Sequence, residues 1–155
     1  MPPRQPAHDD LLRLDHQLCF SLYAASRAMT RAYAPHLDAL GLTYPQYLVM
    51  LVLWEQDGPT VSALGSRLFL DSGTLTPLLK RLEGQGLVER RRGAEDERTV
   101  TVHLTRDGRA LKRRAAAVPK AMLCTLGCDL DGLAGLLAQL KRLRATLAPT
   151  LETSR

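Results

Sequence analysis

Long apolar runs, a secretory signal and the motifs of common enzymes are all missing from this sequence. No stretch of about 18 apolar residues occurs, so no membrane span is predicted. Residues 1–10 are rich in proline and polar side chains and contain no apolar core, so we expect no secretory signal and a cytoplasmic location. The sequence has no glycine-rich phosphate loop and no nucleophile–base pair for hydrolysis, so we expect neither enzymatic activity nor a cofactor.

Cysteine is also scarce, since the chain has only Cys19, Cys124 and Cys128. These three lack the paired spacing of zinc sites and offer too few ligands, so no metal is expected. A permanent disulfide is not expected in a reducing compartment, so any cysteine chemistry would be transient or sensory. From the residues alone, the commoner role of Cys19 on an apolar helix is an inert core thiol.

Positive charge is present, and it is concentrated in one part of the chain. The net charge is +5, and residues 72–114 carry eleven Lys or Arg against six Asp or Glu. This stretch therefore accounts for the whole net charge. A basic segment in a neutral frame is typical of phosphate binding, although the excess by itself favours nucleic acid over a solvated surface only modestly.

The hydrophobic pattern of the first part of the chain predicts helices. Apolar residues at steps of three and four predict a helix over residues 10–30. Pro35 and Gly41 bracket a further short helix. A Thr-Tyr-Pro start signal at 43–45 precedes a largely buried helix over 47–54.

The middle of the chain predicts two more helices and a hairpin. Thr60 is the expected cap of one helix, and Ser72 or Thr74 that of the next. Pro77 fits this second helix best if it begins near residues 73–74, because deeper in a helix proline removes a hydrogen bond. Strands are predicted over 87–92 and 99–104 because polar and apolar residues alternate in the second of them. Beyond the hairpin, a helix is predicted from residue 105 toward Pro119, and a last helix over 130–147.

The order helix, helix, two-stranded wing defines a winged helix-turn-helix, so the predicted fold is mainly α with a small β-wing. We assign residues 1–155 to a single subunit, with the DNA-binding part at 44–105. The helices at 10–42 and 106–150 are predicted to form an intertwined homodimer interface, because operator readers commonly pair two identical modules over half-sites. The alternative is that these helices form a monomer's own core.

One helix face and the wing are predicted to contact double-stranded operator DNA. Short hydroxyls at a helix N-terminus meet phosphates and base edges, and wing arginines suit a narrow minor groove. Asp96 is expected to hold Arg98 in place. The alternatives are a capped surface helix and a plain charged hairpin. The predicted DNA contacts are Ser72, Thr74, Thr76, Lys80, Arg81, Arg91, Asp96 and Arg98.

Three stretches resemble a known family over roughly residues 9–148. The sequences LDSGTLTPLLKRLE at 70–83 and DERTV at 96–100 resemble the recognition helix and wing of MarR-type repressors. The sequence QLCFSLY at 17–23, followed by Tyr33 and by LTYPQY at 42–47, is similar to the organic hydroperoxide resistance regulators (OhrR) within that family.

The resemblance implies a redox-sensing repressor that releases operator DNA when an organic hydroperoxide oxidises Cys19. It implies that Tyr33 and Tyr44 of a partner subunit hydrogen-bond this cysteine, with Tyr23 as a further candidate. From the residues alone, the tyrosines at 23, 33, 44 and 47 could also simply be core. Phenol donors stabilise a thiolate without adding charge, and the thiolate is the form that attacks peroxide.

The same resemblance implies a two-cysteine mechanism. Oxidation gives a sulfenic acid at Cys19, which a resolving cysteine of the other subunit converts into a disulfide. The position of Cys124 matches the resolving cysteine, and Cys128 is a possible substitute one turn later. Both could also be packing residues.

Other functions are open from the sequence. A MarR-type repressor released by a small phenolic or aromatic ligand would leave Cys19 incidental. A thiol peroxidase would need catalytic turnover and no DNA preference, which the basic helix disfavours. A non-specific architectural DNA binder would not distinguish an operator from random duplex.

Overall fold

The computed structural model describes residues 8–93, 98–127 and 129–152, so Asp96 and Cys128 lie outside the described residues. The fold is mainly α-helical with a two-stranded antiparallel wing, which confirms the predicted class. Two compact units, Met1–Val118 and Pro119–Arg155, are described separately. In chain order the elements are α1 His8–Leu11, α2 Leu18–Asp38, α3 Tyr44–Glu55, α4 Val61–Leu68, α5 Ser72–Gly84, β1 Val88–Arg92, β2 Val100–Leu104, α6 Arg106–Ala115, α7 Ala117–Leu126 and α8 Leu130–Glu152.

The core of the first unit is built around α3. This helix is apolar on most of its circumference, which is the pattern of a helix buried on several sides. It contacts α2, α4, α5, α6 and β2. The side chains that are essentially inaccessible to solvent come from α2, α3, α4, α5 and both strands: Leu37, Val49, Met50, Leu53, Leu64, Leu75, Leu79, Leu82, Val88 and Val102.

The N-terminal helices differ from the prediction. The predicted helix over 10–30 is interrupted, because α1 ends at Leu11 and a 3-10 turn at Leu14–His16 precedes α2. The prediction of a separate short helix after Pro35 is wrong, since α2 continues through this proline to Asp38. Pro35 removes only one backbone donor near the end of a 21-residue helix, and the buried Leu37 anchors the last turn.

Local capping chemistry sets the start of α3 and α4 as predicted. Thr43 and Gln46 form a reciprocal capping box, in which the Thr43 N–H donates to Gln46 Oε1 at 2.8 Å. The Thr60 hydroxyl accepts from the Ala63 N–H at 3.0 Å. Each bond satisfies a backbone donor that a helix terminus leaves without an intrahelical partner.

The start of α5 corrects the prediction. The cap is Asp71, not Ser72 or Thr74, and its Oδ1 accepts from the Thr74 N–H at 2.8 Å. This bond from the Thr74 backbone, together with one from the Thr74 hydroxyl, lowers the pKa of the Asp71 carboxyl. The helix therefore begins at Ser72, and Pro77 lies in its second turn, where it costs one helical hydrogen bond. A carboxylate is the better acceptor here because the helix dipole also favours negative charge at this end.

The wing is a two-stranded ladder whose strands each begin one residue later than predicted. Arg90 lies opposite Val102, and Val88 lies opposite Leu104. On its other edge β2 pairs with the α3–α4 connection, where the Val102 N–H donates to the Pro59 carbonyl at 2.9 Å. The tip at 94–97 lies outside the described residues.

A dense junction ties α3, the wing and α6 together. The Trp54 indole N–H donates to the Gly108 carbonyl at 2.9 Å. Asp57 accepts from the Leu104 N–H and from Arg109 Nη1, both at 2.8 Å. Gly108 packs so closely on the backbone of Leu87 that a Cβ there would overlap the Leu87 carbonyl oxygen. The first turn of α6 is therefore fixed to the base of the wing.

Thr105 offers a test of this junction. Its hydroxyl donates to the Gly86 carbonyl at 2.6 Å and accepts from the Gly108 N–H at 3.0 Å. We expect Thr105→Ala to lower the free energy of unfolding by about 1 to 2 kcal/mol, because both bonds are lost. Thr105→Ser keeps both bonds and should stay within about 0.5 kcal/mol of wild type. Urea unfolding measures the difference, and equal losses in the two variants would contradict a hydrogen-bonding role.

The helices that follow the wing also depart from the prediction. The single helix expected from residue 105 toward Pro119 is two helices, α6 and α7, which meet at Ala116. Pro119 is accommodated in the first turn of α7, where no intrahelical N–H bond is needed. In the second unit, α8 extends to Glu152, beyond the predicted end at 147. Its side chains Leu130, Leu136, Leu137, Leu140 and Leu147 are exposed.

Within the described ranges, no helix taken singly has the length and apolar character to cross a membrane. The helices at 106–126 and 130–148, which form a bent pair, meet the length and composition expected of a membrane span only when they are counted together.

Candidate cysteine site and nucleic-acid interface

Cys19 lies in the first turn of α2 on a surface that the chain itself does not cover. Its sulfur is free and the residue is exposed. Every side chain of α2 from residue 18 to residue 31 is exposed, including the large apolar ones. Leu18, Phe20, Leu22 and Tyr23 are 37–60% exposed. This half of α2 is therefore an unpartnered apolar helix in a single chain.

The two predicted sensor tyrosines lie together at the other end of α2. The ring centroids of Tyr33 and Tyr44 are 5.0 Å apart, and Tyr47 lies 6.0 Å from Tyr33. Burial raises the pKa of both Tyr33 and Tyr44, which further favours the protonated phenol that can donate a hydrogen bond.

A single chain does not bring Cys19 to these phenols. Cys19 and Tyr33 belong to the same helix, 14 residues apart, so their Cα atoms are roughly 21 Å apart at 1.5 Å per residue. Any contact between this sulfur and Tyr33 must therefore involve a second chain.

Tyr23 lies one turn after Cys19 on the same helix. Its hydroxyl accepts from Arg27 Nη1 at 2.7 Å, and the guanidinium carbon lies 5.5 Å from the ring centroid. Sequence reasoning missed Arg27, although its spacing of four residues from Tyr23 is the signal of a contact along a helix.

Cys124, the predicted resolving cysteine, is free and exposed on α7 in the second unit. Cys128 lies outside the described residues. No cluster of potential metal ligands occurs in the described ranges.

The face of α5 opposite its buried leucines carries the predicted DNA contacts. Ser72, Thr74 and Lys80 are exposed, and Thr76 is half-buried. Thr76 lies on the edge of α5 nearest the wing, where it lines a groove of about 470 Å³ together with Arg90 and Arg98.

Arg81 and Arg91 do not line this groove, and Asp96 lies outside the described residues. Arg81 lies on the opposite edge of α5, beside Asp38 and Gln85. Arg91 is exposed on β1 and paired with Glu89. The predicted contacts that the structure describes therefore lie on the exposed side and edges of α5 and on the wing.

An ion pair between α5 and the wing was not found by sequence reasoning. Glu83 Oε2 accepts from Arg90 Nη2 at 2.7 Å and from Nε at 3.1 Å, while Oε1 accepts from the Arg90 backbone N–H at 3.0 Å. These bonds from Arg90 lower the pKa of the Glu83 carboxyl. The sequence shows only a run of three arginines at 90–92 and gives no signal of which one turns back to α5.

The helix pair α4 and α5, the wing beside it and the exposed hydroxyl and cationic side chains define a winged helix-turn-helix DNA-binding protein. The sequence model of the transcriptional regulator SarA/Rot family matches residues 31–115. The organic hydroperoxide resistance transcriptional regulator of Bacillus subtilis (strain 168) is 50% identical over 144 residues, which is 93% of this chain and 93% of that regulator.

Solved structures agree in fold. Reduced AbfR bound to DNA, a protein of Staphylococcus epidermidis, has a TM-score of 0.79 at 36% identity and covers 94% of this chain and 99% of its own. A disulfide form of AbfR has a TM-score of 0.60 at 40% identity, covering 87% and 95%. Wild-type MarR from E. coli has a TM-score of 0.65 at 28% identity, covering 82% and 96%.

The chain belongs to the MarR-type winged-helix transcriptional regulators, in the branch of the organic hydroperoxide resistance regulators. It is a DNA-binding transcriptional regulator and not an enzyme. The family resemblance expected from the sequence is thereby confirmed.

Proposed function

We propose that this chain is a homodimeric cytoplasmic repressor that releases its operator when an organic hydroperoxide oxidises Cys19. The observation that carries the proposal is the position of Cys19 on an uncovered apolar helix, with the phenol pair Tyr33 and Tyr44 at the far end of that helix. A second copy supplies both a cover for the apolar face and the missing phenols.

The spacing along α2 defines how two copies would meet. Cys19, Ser26 and Tyr33 follow each other at intervals of seven residues, so they lie close to one face of the helix. Two copies of α2 that cross antiparallel at Ser26 place Cys19 of one chain opposite Tyr33 of the other. The small side chains of residues 24–26 permit close approach of the helices at that crossing.

The chemistry follows from the phenol donors. The Cys19 thiolate attacks one peroxide oxygen, the O–O bond breaks, and the other oxygen takes up a proton and leaves as an alcohol. Sulfur is thereby oxidised by two electrons to a sulfenic acid, and the peroxide is reduced. Protonated Tyr33 and Tyr44 donate hydrogen bonds that stabilise the thiolate, with Tyr23 as a further donor beside it.

We further propose that Cys124 of the other subunit resolves the sulfenic acid. Its thiolate attacks the Cys19 sulfur, the S–S bond forms as the S–O bond breaks, and the departing hydroxide takes up a proton and leaves as water. A disulfide requires Cα atoms within about 7 Å, so a bond between initially separated sulfurs must move the helices. Disturbing the fit at one half-site costs a few kcal/mol of binding, which is enough to release the operator.

The proposed DNA contacts lie on α5 and the wing. The hydroxyls and cations of α5 face the major groove and its phosphates, and the wing arginines reach the adjacent minor groove. Asp96 keeps its proposed role of holding Arg98, although it lies outside the described residues. The described contacts are Ser72, Thr74, Thr76, Lys80, Arg81, Arg91 and Arg98.

The covalent step is tested on non-reducing gels after treatment with cumene hydroperoxide. We expect most of the 17.1 kDa chain to move to about twice its mass, and dithiothreitol to reverse the shift. Cys19→Ser and Cys124→Ser should both abolish the covalent dimer, while the matched control Cys128→Ser should form it normally. A dimer that survives in Cys124→Ser and disappears in Cys128→Ser would show that the resolving cysteine is wrongly assigned.

A further inference from the structure

An ion pair joins Glu83 of α5 to Arg90 of the wing. Three donors of Arg90 converge on the one carboxylate, two from the guanidinium and one from the backbone. The side chains are only 28% exposed for Arg90 and 36% for Glu83. By comparison, the neighbouring pair of Arg91 with Glu89 is more exposed and is formed within one strand.

This pair connects two elements that must reach DNA together. Glu83 is in the last turn of α5, and Arg90 is the third residue of β1, opposite the fully buried Val102. Arg90 also lines the groove between α5 and the wing, beside Thr76 and Arg98. The pair therefore joins the last turn of α5 directly to the first strand of the wing.

The negative charge of Glu83, considered alone, predicts that this carboxylate weakens DNA binding. A negative charge beside a DNA-contacting helix repels phosphates, so its removal should strengthen DNA binding. It should also free the Arg90 guanidinium to reach the DNA backbone. If Glu83 acts by holding the wing in place, its removal should weaken DNA binding. If it acts only through its charge, its removal should strengthen DNA binding.

We propose that Glu83 is a positioning residue for operator binding, which holds Arg90 and the wing at the angle at which wing and α5 engage one duplex together. This charge-assisted pair suits the role because the guanidinium bonds Oε2 while the Arg90 backbone N–H bonds Oε1, so both carboxylate oxygens are held in direction as well as distance. The proposal depends on operator binding by the family fold but not on the peroxide switch, so it is tested on the fully reduced full-length protein.

The test compares Glu83→Gln with the matched control Glu89→Gln, which removes the same charge from the same region. We expect Glu83→Gln to bind operator about 10-fold more weakly than wild type. Glu89→Gln should bind equally well or slightly more tightly. Binding to random duplex should not weaken in either variant, because no phosphate contact is lost, and the slope of log K against log salt should stay unchanged.

Affinity is measured by fluorescence anisotropy at a temperature where circular dichroism shows each variant fully folded. Operator binding by Glu83→Gln as tight as wild type, or tighter, would overturn the proposal. If Glu83→Gln does not fold, the pair is reversed in the double variant Glu83→Arg, Arg90→Glu. Recovery of operator affinity to within about threefold of wild type supports positioning by the pair, whereas a folded double variant that binds at least 10-fold more weakly refutes it.

Discussion

A Cys19→Ser protein is expected to remain on its operator at a dose of cumene hydroperoxide that releases the wild-type protein. We expect peroxide to weaken operator binding by wild type at least about 100-fold, equivalent to about 2.7 kcal/mol. The same treatment should change binding by Cys19→Ser less than about twofold. A serine hydroxyl has nearly the size of a thiol but is not ionised at neutral pH, so it does not attack the peroxide.

Two further measurements test the reversibility of Cys19 oxidation and the contribution of the phenols to it. Dithiothreitol should restore operator binding by oxidised wild type, because sulfenic acid and disulfide are both reversible. The double variant Tyr33→Phe, Tyr44→Phe should bind operator normally and release it about 10-fold more slowly, because the thiolate loses its phenol donors. Release of Cys19→Ser at the same dose as wild type would refute the cysteine switch and favour release by a bound phenolic or aromatic ligand.

Gly108→Ala is expected to lower the free energy of unfolding by about 3 kcal/mol. The helix propensity of alanine is more favourable than that of glycine by about 1 kcal/mol, so propensity alone would predict that Gly108→Ala stabilises the protein. Packing dominates because the new methyl group would overlap the Leu87 carbonyl oxygen and lie 3.2 Å from Leu104 Cδ2. Backbone atoms cannot rotate away, so α6 must separate from the wing.

Gly84→Ala is the matched control, since it adds the same methyl group to another helix of the same unit. Apart from its chain neighbours and the backbone of its own helix, nothing lies within 4 Å of the new Cβ, so we expect stability to be unchanged or raised by up to about 1 kcal/mol. Urea unfolding of both variants, followed by circular dichroism, gives the comparison. Equal stabilities for the two variants would contradict the close backbone contact between α6 and the wing.

Elements set by neighbouring residues were predicted well from the sequence. The start of α3 follows from Thr43, Pro45 and Gln46, which interact within one helical turn. The wing follows from the alternation in β2 and from its short connection to α5. These signals are local, so they need no knowledge of the rest of the fold.

The errors arose where several local solutions were equally acceptable. Asp71, Ser72 and Thr74 are all good helix caps, and the path by which the chain enters α5 selects Asp71. Pro35 and Pro119 could each end or begin a helix. Packing of Leu37 keeps the first inside α2, while the second occupies the first turn of a new helix.

The candidate site could be predicted only in part, because some of its contacts depend on a second chain or on the path of a turn. The family resemblance identifies Cys19 and the tyrosines, and the structure brings Tyr33 and Tyr44 together. A hydrogen bond from either tyrosine to the Cys19 sulfur stays a prediction, because it depends on a second chain. The bond between Glu83 and Arg90 could not be predicted because it depends on the turn between α5 and β1.

The position of Trp54 gives the protein an intrinsic optical probe. It is the only tryptophan in the sequence, so all indole fluorescence originates at one place. Its ring lies 6.4 Å from Tyr47, within reach of energy transfer from the tyrosine cluster, while its N–H is bonded to the first turn of α6. Excitation of the tyrosines should therefore appear as indole emission, and a shift in that emission upon oxidation would time the movement of the junction without any attached dye.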